Sequence, residues 1–401
     1  MRTIDDEQSP RIERVKTPRL AGTFLVSGFV MAALGSSRLL IPLIALSLGA
    51  SSFLIGVAAA LFTAVPMLLS VPFGRWMDRT GTLPAVMLSA MMIVLAALLY
   101  GAMPSQYSLL AVAGLIGTAG VFTHMAATRA VGLGVEVAER AKSLGYLVLS
   151  YSLFNFFGPV ITTHAFEHYG ATLAIAVLGL FAVFSIAGIR SLPHFYTHER
   201  QGAANASGSR KTYDLLGISD LRLWIVISSV FTANQTLFPF ILSLHTAQIG
   251  LPASQAGWVL GAFAFGTFTS RFFTPLLVKH VSANAILILA LIVAAGVYAV
   301  IPLAHGTLSL ITLSGALGLP LGVGAPVSLA LIYEVAPSGR VNEALGISMS
   351  ANNLLQTVFP MVIGVAANGL VAFMVWGWAL IIMASAAWIM SRRKQLKQEA
   401  A

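Results

Sequence analysis

An all-α membrane protein of twelve spanning helices, arranged as two six-helix bundles, is the fold class the sequence predicts. Charged residues make up 9% of the 401-residue chain and hydrophobic residues 57%, whereas a soluble domain carries about 25% charged residues. The apolar residues fall into twelve runs, each near the roughly 20 residues that a helix needs to cross the hydrocarbon core. Landmarks of the first half return in the second at a constant offset of 201 residues, as Gly56 and Gly257 show.

The runs, read between polar or Gly/Pro breaks, are 21–47, 53–73, 83–102, 107–132, 143–164, 171–190, 221–244, 256–278, 284–303, 308–333, 343–367 and 370–391. They must be helices, because lipid cannot satisfy a free backbone. Residues 1–20 carry both signs of charge and lack the charged–apolar–small order of a cleavable signal. The chain has no cysteine, which excludes disulfides and thiolate metal sites. Neither a metal nor another cofactor is expected. The net charge of +9 fits an excess of Lys and Arg in cytoplasmic loops rather than a nucleic-acid surface.

The basic residues fix the topology. Arg2, Arg11, Arg14, Lys16 and Arg19 precede span 1. Arg75 and Arg79 follow span 2, and Arg140 and Lys142 follow span 4. Arg190, Arg200, Arg210, Lys211 and Arg222 flank the middle of the chain. Lys279 and Arg340 follow spans 8 and 10, and Arg392, Arg393, Lys394 and Lys397 close it. All of these lie on one side if the count is twelve. The opposite loops, near 48–52, 103–106, 165–170, 245–255, 304–307 and 368–369, contain no Lys or Arg. Both termini are therefore expected in the cytoplasm, with the chain in the cytoplasmic (inner) membrane.

The repeat supports the count. Gly114 recurs as Gly315, Gly117 as Gly318, Leu144-Gly145 as Leu345-Gly346, and Pro159 as Pro360. Six spans separate the copies, so both halves have the same orientation. Parallel repeats of this kind build transporters with a midplane site between the halves. The expected division is a bundle over 1–190, a polar Gly/Ser-containing cytoplasmic linker over 191–220 and a bundle over 221–401.

Between spans 2 and 3 stands Gly74-Arg75-Trp76-Met77-Asp78-Arg79-Thr80-Gly81. It resembles the signature loop of the major facilitator superfamily: Gly, three residues, Asp-Arg, one residue, Gly, then usually two basic residues. Thr82 and Leu83 stand in place of the basic pair. With the 6+6 repeat and the middle linker, the resemblance spans essentially the whole chain and implies the major facilitator fold. Gly74 and Gly81 permit close approach and a tight turn. Asp78 is placed to cap a neighbouring helix, span 11 in the family. Arg79 is within reach of Glu136 or Glu139. These residues form an expected gate. Gly158-Pro159 on span 5 resembles the core of the exporters' antiporter motif, although Thr162-Thr163 replaces its usual glycine pair.

Three arginines remain inside apolar runs: Arg38, Arg129 and Arg271. A charge at the bilayer centre costs at least about 2.5–3.5 kcal/mol, and no Asp or Glu lies deep in those runs. Arg38 on span 1 and Arg271 on span 8 are expected to bind substrate from opposite halves, since guanidinium grips a carboxylate bidentately. An Arg on span 8 before the closing Pro also resembles the oxalate and monocarboxylate branches. Bonding to helix carbonyls, or stacking of Arg271 on Phe272, is the structural alternative. Arg129, near the end of span 4, reads as a gate or snorkelling residue. His124 on span 4 is a candidate for a coupling proton. Asn234 and Gln235 on span 7, Tyr151 and Asn155 on span 5, and Asn352, Asn353 and Gln356 on span 11 must face a cavity or another helix rather than lipid. The six Gly and Pro residues between Gly315 and Pro326 predict an irregular, closely packed span 10; no Lys-Ser/Thr follows them to make a nucleotide loop.

The leading expectation is a monomeric secondary transporter of a small organic anion, driven by a coupling ion such as the proton. An exported metabolite, such as a polycarboxylate siderophore, fits Gly158-Pro159; an imported organic acid fits Arg271. The alternatives are an efflux antiporter for neutral hydrophobic compounds and a non-transport membrane protein. Membrane enzymes are disfavoured, because no span holds a paired-acid, metal or nucleophile constellation.

Overall fold

The computed structural model describes residues 17–134, 137–190, 212–337 and 341–399; side chains at some of these positions, including Asp78 and Gln235, lie outside the description. The described residues form helices without a strand: α1 (Thr17–Ser47), α2 (Ser52–Thr80), α3 (Thr82–Ala102), α4 (Ser108–Gly134), α5 (Val137–Arg190), α6 (Ser219–Gln248), α7 (Ala253–His280), α8 (Ala283–Val300), α9 (Thr307–Val335) and α10 (Val341–Glu399). At 54 and 59 residues, α5 and α10 are too long for one crossing of a core about 30 Å thick. Each holds two of the predicted spans. The expected loop over 165–170 shrinks to a single break at Gly170, where φ is 83°. The left-handed value suits glycine, which has no Cβ to clash.

Nine stretches among the described residues are long and apolar enough to cross a membrane, one of them the double-length Ser143–Ile189. α7 is not among them, because Gly, Ser, Thr and Arg271 dilute its apolar content. Leu98, Leu289, Leu308 and Leu380 are all more than 60% exposed. On a soluble protein such leucines would be a liability, and here they offer a face to lipid.

The halves are built alike. In the first, α1 packs on α4 and α5, α3 on α4 and α5, and α2 on α4. In the second, α6 packs on α9 and α10, α8 on α9 and α10, and α7 on α9. The sequence repeat reappears as atomic contact. A Cβ on Gly117 would fall 2.4 Å from the Phe62 carbonyl oxygen, and one on Gly318 would fall 2.2 Å from that of Phe263. Phe62 and Phe263 are themselves separated by the same offset. Bare glycines let these backbones touch, the usual means of packing helices in lipid.

The halves meet along two related seams, α2 on α10 and α5 on α7, with α1 also against α6. A Cβ on Gly56 would lie 2.7 Å from the Pro360 carbonyl oxygen, and one on Gly257 would lie 2.9 Å from that of Pro159. Both contacts lie toward the end of the bundle away from the chain termini, here called the far end. Thr63 and Thr357 share a 2.8 Å hydrogen bond between the halves. At the far end the Ser254 backbone N–H, on the first turn of α7, donates to Glu167 Oε2 at 2.8 Å. Bonds from Ser254, side chain first and then backbone, hold the exposed Glu167 carboxyl below the usual carboxylate range.

Two local expectations change. The stretch from Gly74 is helical through to Thr80, and the turn into α3 is made by Gly81 alone, at φ 88°. Gly74 is therefore no turn residue; its nearest neighbour is Met125, 3.6 Å from an added Cβ. Span 10 is also not irregular: α9 runs unbroken through Pro320 and Pro326. It is closely packed, with Gly322 against Thr267 and Gly324 against Phe231.

Candidate functional site

Buried polarity is held along these helices mostly by local bonds. Ser36 Oγ donates to the Ala32 carbonyl at 2.6 Å, and Ser37 Oγ to the Leu34 carbonyl at 2.8 Å. Such back-bonding lets hydroxyls sit in an apolar helix without orphaned atoms. Arg38 follows them directly. Gly158 brings α5 against α1, since a Cβ there would lie 2.6 Å from Ser36 Oγ and 2.9 Å from the Ala32 carbonyl oxygen. Gly257 and Gly261 bring α7 against α5 at Pro159, Thr163 and Val160. Thr163 Oγ1 donates to the Pro159 carbonyl at 2.6 Å, and Thr162 Oγ1 to that of Gly158 at 3.0 Å.

These approaches shape a partly open cavity of about 50 Å³ between the halves, room for a few water-sized groups. Arg38 and Gly35 from α1, Ser152, Asn155 and Pro159 from α5, Pro239 from α6, and Thr267 and Arg271 from α7 line it, with Leu260, Phe263 and Ala264 as its apolar wall. Two cations thus face one small space and no acid lines it. Arg271 Nη1 donates to Ser152 Oγ at 2.8 Å, a bond from one half to the other. Its Nε is buried and has no hydrogen-bond partner. Stacking on Phe272 is not what is found: Phe272 is 61% exposed and packs edge-on against Phe273.

Prolines follow the polar positions of these helices. A helical proline removes the amide that would bond the carbonyl four residues earlier. Pro42, Pro159, Pro239, Pro275 and Pro360 therefore free the carbonyls of Arg38, Asn155, Gln235, Arg271 and Gln356. Each of these five is a polar residue singled out by the sequence.

The other sequence candidates separate. Asn234 is 1% exposed and turned into the second half. Its Oδ1 accepts from the Tyr298 hydroxyl at 2.5 Å and from Trp378 Nε1 at 3.1 Å, and its Nδ2 donates to the Val230 carbonyl at 2.7 Å. Asn352 Oδ1 accepts from Ser229 Oγ, and Gln356 Oε1 from Thr236 Oγ1. These three amides tie helices together and do not line the cavity; nor does Asn353, whose carbonyl accepts from Thr357. Tyr151 is buried one turn from Asn155, beside exposed His124, with ring centroids 5.8 Å apart. Arg129 is half-buried near the end of α4, and Arg79 is exposed. The side chains of Asp78, Gln235, Glu136 and Glu139 lie outside the described residues. Ser152, Gly35, Thr267 and Pro239 were not foreseen. The proline spacing was a signal for Pro239, and the glycines a signal for close approach, but no sequence feature singles out Ser152 or Thr267.

No protein of curated function matches this chain in sequence. Among solved structures, a POT family transporter in complex with a thioalcohol-conjugated peptide superposes with a TM-score of 0.76 at 10% identity, covering 94% of this chain and 96% of its own. A peptide transporter POT in complex with sulfate gives 0.73 at 15% identity, over 94% and 96%. The nucleoside transporter NupG gives 0.72 at 13% identity, over 92% and 99%. The Major Facilitator Superfamily model matches residues 23–221 and 223–400, so the two-bundle helical fold and both halves of the sequence agree that the chain belongs to that superfamily of membrane transporters.

Proposed function

We propose that the chain is a secondary transporter for a small organic anion, a carboxylate, held between Arg38 and Arg271 and exposed to each side of the membrane in turn. The observation that carries this is the Arg271 guanidinium: Nη1 is committed to Ser152 while buried Nε has no partner, in a cavity that Arg38 also lines. A buried charged donor without an acceptor is costly, and a carboxylate supplies two acceptors in the plane of the fork. In this reading the bundles 1–190 and 221–401, joined by 191–220, rock about the cavity with both termini in the cytoplasm. The Asp78–Arg79 end of α2 gates that side, and His124 beside Tyr151 carries a coupling proton.

The test is binding of a panel of small carboxylates to purified protein by thermal shift, since a ligand of the native state raises its apparent stability. Arg38→Gln and Arg271→Gln should each weaken the best ligand by about 10- to 100-fold, the worth of a hydrogen-bonded charge pair. Arg271→Lys should recover little, because an ammonium cannot reproduce the planar fork. Normal binding and flux in both Gln variants would refute the proposal. Preference for neutral hydrophobic compounds would point instead to a drug exporter.

A further inference from the structure

Asn155 is the one polar side chain of the cavity wall without an internal task. Ser152 accepts from Arg271 and donates to the Val148 carbonyl. Thr267 donates to the Ala264 carbonyl at 2.7 Å. The Asn155 amide has no hydrogen bond among the described residues, and its Oδ1 is buried. Space for it has been made on purpose by the packing: a Cβ on Gly35, across from it on α1, would fall 2.0 Å from Asn155 Oδ1. Pro159, four residues on, also leaves the Asn155 carbonyl without its helical amide. An amide offers one acceptor and two donors, and buried polar groups are ordinarily satisfied.

We infer that Asn155 reads a hydroxyl on the substrate, and that the site takes a small 2-hydroxycarboxylate. The inference rests on the anion reading above. With the carboxylate between the two guanidinium groups, Asn155 meets whatever stands on the neighbouring carbon. The cavity beside Arg38, Asn155 and Arg271 has room for a ligand of only a few heavy atoms, which suits a small acid. A hydroxyl both donates and accepts, and so satisfies the amide whichever way its oxygen and nitrogen are turned.

The experiment is titration calorimetry of the full-length protein with lactate, pyruvate and propionate, which carry at the second carbon a hydroxyl, a carbonyl oxygen and no polar group. Lactate should bind about tenfold more tightly than propionate, the worth of one well-placed hydrogen bond, and pyruvate should fall between. In Asn155→Leu, lactate should drop to the level of propionate while propionate stays within about twofold of wild type. Equal binding of lactate and propionate by the wild type overturns the inference and leaves the arginine reading standing; this comparison does not depend on any variant folding. Equal losses of lactate and propionate in Asn155→Leu also overturn it, because they mark Asn155 as structural. Failure of all three acids to bind overturns the 2-hydroxycarboxylate inference, while the wider carboxylate panel and the Arg→Gln variants decide the arginine reading separately.

Discussion

A methyl group added at Gly56 would press on the seam between α2 and α10. The new Cβ would stand 2.7 Å from the Pro360 carbonyl oxygen and 3.1 Å from Gly364 Cα. Both are backbone atoms, so no side chain can swing aside. Reaching ordinary contact requires the helices to part by about 0.7 Å. Overpacking of this kind costs about 1–3 kcal/mol, a cost borne only while the far end is closed. Because 1.4 kcal/mol is a factor of ten, Gly56→Ala should shift the balance toward the parted arrangement by about 5- to 150-fold. The chain has no cysteine, so Thr63→Cys gives a unique thiol at a position only 4% exposed. A membrane-impermeant maleimide applied from the far side should label it correspondingly faster in the Gly56→Ala background. Gly145→Ala, where an added Cβ meets nothing within 4 Å, is the control and should label at the parental rate. Equal labelling in Gly56→Ala and the control would refute the seam as a closure contact.

The related seam should behave alike: Gly257→Ala meets Thr163 and the Pro159 carbonyl, and with separate sites the two free-energy effects should add. Replacing Asn234 with Leu strands the Tyr298 hydroxyl and Trp378 N–H, so a loss of at least about 2 kcal/mol should lower the melting temperature while carboxylate affinity holds; the reverse pattern would make Asn234 a ligand. Glu167 adds a pH dependence to the far end. Its lowered carboxyl pKa means that it favours closure fully above the ordinary glutamate value near 4.3. That contribution is lost as the pH falls through the lowered value. Opening of the far end, read by the distance between two spin labels placed across it rather than by thiol reactivity, should rise over that acid range, and Glu167→Gln should flatten the rise.

The parts of the fold that the sequence reveals are those that one-dimensional patterns encode. Run length counts the passages, and the offset between Gly56 and Gly257 foretells two matching seams. The convergence of Arg38, Asn155 and Arg271 on one cavity follows from the same signals, since isolated charge in an apolar run must be accommodated. Which way each amide turns does not follow. A helix in lipid is apolar on its buried face and on its lipid face alike, so periodicity cannot show that Asn234 looks toward Tyr298 and Trp378 while Asn155 looks across at Gly35. Ser152 is invisible for a related reason: serines that bond their own helix are common, and only the approach of α7 makes this one a partner of Arg271. The fusion of spans 5 and 6 rests on a single backbone torsion at Gly170.

Seven helices carry an internal proline, and in five of them the rung lost lies at a polar residue, two of these at prolines in the cavity wall. A rod with a missing rung is softest at that height. Small bends of α1, α5 and α7 are therefore cheapest beside Arg38, Asn155 and Arg271. A ligand that bridges those three helices would brace the joint it sits in, so that occupancy stiffens the carrier where an empty one gives way.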